Sequence, residues 1–141
     1  MAITPVRFVI VGGGPAGHQA ATTAARLGAE VTLVERDVIG GAAHLWDCVP
    51  SKSMIATGGA LSFARRAPGM GLVRLEPELD VDALKARITE IEDHLNRSVR
   101  ELLDSQGVRT LRGTGRLGGP HEVIVQTDEG GTEVLPADAI L

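Results

Sequence analysis

Val6-Arg7-Phe8-Val9-Ile10-Val11, followed by Gly12-Gly13-Gly14-Pro15-Ala16-Gly17, is the stretch on which the fold turns. An Ala-rich segment leads from it to Leu27-Gly28, and Glu30-Val31-Thr32-Leu33-Val34-Glu35 closes the unit. Val9, Ile10 and Val11 make a continuous apolar run, the pattern of a parallel strand covered on both faces. Gly12, Gly14 and Gly17 fall at the spacing G-x-G-x-x-G. Gly12 permits a tight turn, Gly14 admits a pyrophosphate close to the backbone, and Gly17 lets the following helix pack against the strand. Free N–H groups in that helix's first turn, at its positive dipole end, would face the phosphates. Ala16, Ala20, Ala21, Ala24 and Ala25 keep the helix thin, and Gly28 is suited to stop it. Glu35, at the tip of the second strand, is placed to accept hydrogen bonds from both ribose hydroxyls. Strand, turn, helix, strand and acid agree on a dinucleotide-binding βαβ unit; the plainer alternative is a glycine turn that serves only the chain. The acid argues against a 2′-phosphate and leaves FAD and NAD level.

The rest of the composition narrows the class. A chain of 141 residues is one domain's worth, and 43% hydrophobic with 23% charged residues is ordinary for a globular protein. A net charge of −4 offers no basic footprint for nucleic acid or an anionic membrane. The aromatic residues are Phe8, Trp46 and Phe63, too few for base-stacking platforms. Met1 leads almost directly into the first strand, so no signal peptide is expected, and no apolar run approaches a membrane span. One cysteine, Cys48, cannot form an internal disulfide. A cytoplasmic location is expected.

Downstream, Gly40-Gly41 opens a loop suited to close backbone approach, which runs through Cys48-Val49-Pro50 towards a helix over Ser51–Arg66. Gly58-Gly59 weakens that helix in its middle, and Pro68-Gly69-Met70-Gly71 breaks it. Residues 72–80 read as a loop or short edge strand. Asp80 then caps a long helix from Val81 to about Gln106, stopped by Gly107. Its apolar stripe (Val81, Leu84, Ile88, Ile91, Leu95, Val99, Leu102, Leu103) fits packing on its own domain, or use by a partner because the helix is long. From Val108 the period becomes two. Val108–Arg112 is a short strand, Gly113-Thr114-Gly115 permits another close approach, and His121–Thr127 and Thr132–Leu135 complete a β meander around Asp128-Glu129-Gly130-Gly131. Residues 136–141 begin a further strand. The expected fold is α/β and Rossmann-like, a parallel sheet with helices and a small β meander.

With the first unit, the loop from Gly40 to Lys52 resembles the FAD domain of the flavoprotein disulfide reductases, a family that includes dihydrolipoamide dehydrogenase and glutathione reductase. There the loop reads Gly-Gly-Thr-Cys-Leu-Asn-x-Gly-Cys-x-Pro-Ser-Lys. This chain has Gly40, Gly41, Cys48, Pro50, Ser51 and Lys52 at matching places, and its elements follow the family order. The resemblance implies FAD held by Gly12, Gly14, Pro15, Ala16 and Gly17 at the pyrophosphate and by Glu35 at the adenosine ribose. It further implies Gly41 and Ala42 along the cofactor, Lys52 near the flavin N5, Cys48 near the ring, and Gly115 by its backbone near the adenine. Read without it, Lys52 is a solvated helix-start residue and Cys48 a small apolar one.

The departures change the expected chemistry. The family's first cysteine falls on Ala43, and its asparagine and glycine fall on Leu45 and Asp47. Thiol–disulfide exchange needs an attacking thiolate and a partner sulfur, so reduction of a disulfide substrate is not expected. The loop looks like that of the family subgroup without the cysteine pair, associated with NAD(P)H:quinone reduction. His44 and Trp46 are candidates for shaping an acceptor site, or simply pack. His18, His44, His94 and His121 are isolated, so no metal site is expected. By the same resemblance the FAD domain is incomplete at Leu141, and the nicotinamide-binding and dimerisation domains are absent. NAD(P)H as donor and a homodimer are then expected only for a longer relative, with no turnover by the chain alone. A non-catalytic FAD- or nucleotide-binding module is the alternative, as is a dihydrolipoamide dehydrogenase relative that has lost disulfide chemistry.

Overall fold

A computed structural model describes residues 4–141, with the side chains of residues 43–45 outside the described residues. The expectations for Ala43, His44 and Leu45 therefore lie outside it as far as their side chains are concerned. Six strands form one sheet: β1 (Arg7–Val11), β2 (Glu30–Glu35), β3 (Arg109–Gly119), β4 (Glu122–Thr127), β5 (Thr132–Pro136) and β6 (Ala139–Ile140). Their order is β5-β4-β3-β2-β1-β6. β1 runs parallel to β2 and β6, β2 runs parallel to β3, and the β3-β4 and β4-β5 pairs are antiparallel. The helices are α1 (Pro15–Arg26), α2 (Val49–Arg66) and α3 (Val81–Ser105), with a π-helical segment Ala43–Cys48 before α2 and a 3₁₀ turn Ala67–Met70 after it. This is the Rossmann-like α/β architecture expected from the sequence.

The apolar run of β1 is covered on both faces, as its lack of alternation requires. Ile10 and Leu33 point to one side and pack with Ala21 of α1, Leu103 of α3, Val31, Ile39 and Val108. Val9 and Val34 point to the other, where Val123, Val125, Leu135 and Ala137 cover them. The meander thus does for the second face what helices do for the first. α3 reaches the sheet through its last turns, with Leu103 buried and Val99 packed on the core, and it also contacts α1 and α2. Asp80 caps it as the sequence suggests, its Oδ1 accepting the Ala83 N–H at 2.9 Å.

Two local features differ from the sequence reading. β3 does not end near Arg112 but continues through Gly113, Thr114 and Gly115 to Gly119, pairing with β2 and then with β4. Gly113 and Gly115, read from the sequence as permitting a close approach, lie in a strand whose neighbours leave little room for side chains; a Cβ on Gly113 would collide with the Gln126 carbonyl oxygen. Helical structure begins before Pro50, as a π-helical segment. A proline has no N–H for the helix ladder and its ring crowds the preceding turn, and a widened turn accommodates both. α2 runs through Gly58 and Gly59 as the helix expected over Ser51–Arg66, starting two residues earlier, and residues 72–80 are the loop of the two forms the sequence left open.

The short β6 is tied to β1 by a fork. Arg7 donates from its backbone N–H and Nε to Asp138 Oδ2 (2.9 and 3.1 Å) and from Nη2 to Oδ1 (2.8 Å). The Asp138 N–H donates back to the Arg7 carbonyl at 2.9 Å. Hydrogen bonding from the Arg7 side chain and backbone holds the Asp138 carboxyl well below the usual carboxylate range. Because the folded-state pKa is lowered, the unfolded chain takes up the proton first as pH falls. The stabilisation is complete above the ordinary Asp value of about 3.9 and is lost below it, towards the lowered folded value. Asp138→Asn should therefore lower the urea midpoint at neutral pH, and the gap from wild type should close as the pH is brought below about 3.9. Denaturation curves that stay equally separated down to pH 2 would contradict this role.

In α2, a Cβ on Gly58 or Gly59 meets nothing within 4 Å. Gly58→Ala and Gly59→Ala should each raise stability by about 0.5–1 kcal/mol through helix propensity alone, read as an increased urea midpoint with unchanged slope.

Candidate functional site

The C-terminal ends of β1 and β2 and the middle of β3 meet at one place, and the glycine turn lies across it. Gly12 leaves β1 with φ +112°, a value closed to most side chains. Its N–H donates to the Val34 carbonyl at 2.8 Å, which ties the turn to β2. A Cβ on Gly17 would strike the Gly12 carbonyl oxygen, so α1 crosses the turn at a separation only glycine allows. Gly14 caps α1 with extended backbone, and a Cβ there would meet nothing within 4 Å. Gly17 thus satisfies an internal contact, and Gly14 faces open space. Pro15 has no N–H, and the first turn of α1 carries no acidic residue. The backbone N–H groups of Ala16 and Gly17 are therefore offered without a competing negative charge.

A second glycine loop backs the first. Gly41 has φ +78°, and a Cβ on it would stand 2.8 Å from Gly14 Cα and 3.3 Å from Pro15 Cδ. The Gly40 N–H donates to the Gly13 carbonyl at 2.8 Å. The two loops lie against each other by backbone, with Ala42 exposed beside them.

Glu35 ends β2 half-buried, with both carboxylate oxygens engaged by main chain. Oε2 accepts the Gly13 N–H at 2.6 Å and Oε1 accepts the Asp37 N–H at 2.8 Å. Each oxygen retains an acceptor site, since a carboxylate offers about four. Beside it a cleft of about 330 Å³ is lined by Val11, Gly12, Val34, Glu35, Arg36, Gly113, Thr114 and Gly115. A Cβ on Gly115 would stand 3.0–3.3 Å from the Val11 and Val34 methyls, so β3 passes here by virtue of having no side chain.

The structure thus brings together Gly12, Gly14, Pro15, Ala16, Gly17, Glu35, Gly41 and Gly115 around one edge of the sheet. Lys52 and Cys48 do not line this cleft. Lys52 is exposed in the first turn of α2, and among the described residues it forms no salt bridge. Cys48 is half-buried at the end of the π-helical segment, its carbonyl accepting the Ser51 hydroxyl at 3.2 Å. Trp46 is exposed. Arg36, Gly113 and Thr114 line the cleft without having been singled out for it; adjacency to Glu35 and to Gly115 was the available signal. A larger cavity, about 700 Å³, lies among Arg65, Pro68 and residues 74–78 and contains none of the fingerprint. Among the described residues no group of His, Cys, Asp and Glu is arranged to hold a metal, and no helix is long and apolar enough to cross a membrane.

An open glycine turn at a helix N-terminus, an acid on the neighbouring strand and an adjoining cleft are the parts of a Rossmann-like βαβ unit. Residues 6–141 match the family model described as pyridine nucleotide-disulphide oxidoreductase, and the chain belongs to that family. It is 35% identical over 134 residues to a dihydrolipoyl dehydrogenase of Zymomonas mobilis, covering 95% of this chain and 29% of that protein. It is 36% identical over 146 residues to an NAD(P)H dehydrogenase (quinone) of Mycobacterium tuberculosis, covering 96% of this chain and 30% of that one. The crystal structure of LpdA from Mycobacterium tuberculosis superposes with a TM-score of 0.82 at 34% identity, over 96% of this chain and 30% of that chain. The chain therefore spans about a third or less of the length of these relatives. The family is one of flavin-dependent oxidoreductases that use a pyridine nucleotide.

The contrast between two glycines is directly testable. Gly17→Ala should destabilise the fold by about 2 kcal/mol or more, because a backbone oxygen occupies the space. Gly14→Ala should change stability by only about 0.5 kcal/mol yet weaken ADP binding at least about tenfold, because its Cβ enters the open face. Thermal melts and calorimetric titration with ADP read the two effects separately; equal losses of stability in both variants would refute the distinction.

Proposed function

We propose that this chain binds FAD through the ADP portion of the cofactor and forms the flavin-carrying part of an NAD(P)H:quinone oxidoreductase. The residues present fit that group. The Ala16 and Gly17 N–H groups, with Gly14 leaving the approach open, suit a diphosphate; the remaining acceptor sites of Glu35 suit the ribose hydroxyls. The cleft whose lining includes Val11, Val34 and Gly115 suits a flat heterocycle. Gly41 and Ala42 would continue along the cofactor, and Lys52, at the start of α2, would set an ammonium on the flavin side where negative charge develops. When bound, FAD supplies the hydride and electron transfer itself; this chain's residues bind it and orient it.

The observation that carries the choice of acceptor is the sulfur content of the loop. Cys48 is the one cysteine of the chain, and Ala43 occupies the place where a partner thiol would be required. Disulfide exchange lacks one of its two sulfurs, while a quinone accepts electrons without any. The mycobacterial NAD(P)H dehydrogenase (quinone) and the dihydrolipoyl dehydrogenase of Zymomonas mobilis are equally similar to the chain, so the loop and not the likeness favours this reading.

FAD fluorescence should change on mixing with the chain; an unchanged signal at high micromolar protein would remove the proposal. Bound FAD reduced anaerobically with dithionite should be reoxidised by a water-soluble benzoquinone and not by lipoamide. Reoxidation by lipoamide at a comparable rate would favour thiol chemistry. With one dinucleotide cradle in its 141 residues, the chain by itself should show no bleaching of bound flavin by NADH at an enzymatic rate.

A further inference from the structure

The fingerprint accounts for Gly12, Gly14 and Gly17 and leaves Gly13 without a reason to be glycine. Its backbone is not left-handed, so conformational freedom does not supply one. Its surroundings do. Gly13 is buried, its N–H donates to Glu35 Oε2 at 2.6 Å, and its carbonyl accepts the Gly40 N–H. A Cβ on it would stand 3.2 Å from Glu35 Cβ and 3.3 Å from both Cγ and Oε2. A methyl there would press directly on the carboxylate that the N–H holds. The other carboxylate oxygen holds the Asp37 N–H, so Glu35 is fixed from two sides before any ligand arrives.

We propose that Glu35 is a positioning residue for the diphosphate as well as a ribose ligand, acting through the Gly13 N–H to fix the glycine turn. The inference rests on the reading that this cleft holds the ADP portion of a dinucleotide. Gly12 and Gly14 flank the bonded amide, and the α1 donors begin directly beyond Gly14. A turn released at Gly13 keeps the Gly12 N–H on the Val34 carbonyl but loses its second tie to β2, the one nearer the point where it must present those donors. The acid then joins the two halves of the site, and Gly13 is glycine so that the carboxylate can reach its amide.

Three ligands separate the possible roles of Glu35: ADP, 2′,3′-dideoxy-ADP and 2′,3′-dideoxyadenosine, titrated by ligand-observed NMR into the full chain and Glu35→Gln. Glutamine keeps the shape but replaces one acceptor with an NH₂ donor, so one of the two backbone amides loses its partner. The proposal expects 2′,3′-dideoxy-ADP, which has no ribose hydroxyls to offer, to bind about tenfold more weakly to Glu35→Gln. 2′,3′-Dideoxyadenosine, with no diphosphate, should stay within about twofold. Charge works in the opposite direction, since removing a carboxylate favours an anionic ligand, so weakening cannot come from lost charge. Unchanged affinity for both dideoxy ligands would make Glu35 a ribose ligand alone, and equal weakening of both would mean general damage to the cleft; either overturns the proposal. Should Glu35→Gln not fold by circular dichroism, Gly13→Ala carries the same comparison with the carboxylate retained, and an unaffected diphosphate preference there overturns it as well. Amide exchange at Gly13 in the wild-type chain provides an arm that needs no variant: slow exchange is expected, and exchange at the rate of an exposed loop amide overturns the tie. Wild-type chain that binds none of the three ligands would remove the reading of the cleft itself.

Discussion

The structure depends on how closely α1 can cross the turn that leads into it. The Gly12 carbonyl oxygen occupies the space a Gly17 side chain would need, so a Cβ at that position would lift the helix off the strand. The same approach lets Ala21 reach Ile10 and Leu33 in the core. It also fixes the direction in which the first-turn N–H groups point. Packing and ligand geometry are thus set by one backbone contact, and stability and binding cannot be tuned independently at Gly17. At Gly14, where nothing is near, they can be.

The second constraint is that a parallel sheet needs both faces covered, and α1 and α3 occupy only one. β3 resolves this by running past the end of β2 and turning antiparallel into β4 and β5, whose Val123, Val125 and Leu135 cover Val9 and Val34. Passing over that edge carries Gly115 close to the Val11 and Val34 methyls. The cleft of about 330 Å³ is therefore a by-product of how the second face is closed. Glycines at 113 and 115 serve the close approach of strands and the floor of the cleft together.

Much of this was legible in the sequence wherever the cause is local. The apolar run of β1, the Gly28 stop, the acid at Glu35 and the Asp80 cap each depend on residues within a turn or two. The continuity of β3 was hidden because the partners that demand Gly113 and Gly115 are Gln126, Val11 and Val34, distant along the chain. The same holds for Gly13, whose reason lies with Glu35 on the next strand. The early start of helical structure before Pro50 was hidden for a different reason: proline signals a helix start, and a π-helical turn is the less common way of passing one.

The two parts of the candidate site also differ in how they are held. Glu35, Gly12 and Gly115 sit on strands paired within the sheet, and both Glu35 oxygens are already bonded to backbone. Lys52 sits on α2, most of whose residues are exposed and of which Ala64 is the one buried residue, and Cys48 ends the π-helical segment before it. Binding geometry is best kept by groups whose positions are determined before the ligand arrives. The residues around Glu35 meet that condition, whereas Lys52 is exposed and forms no salt bridge among the described residues. On the proposed reading, affinity for a dinucleotide should accordingly reside in the glycine turn, Glu35 and the cleft beside them.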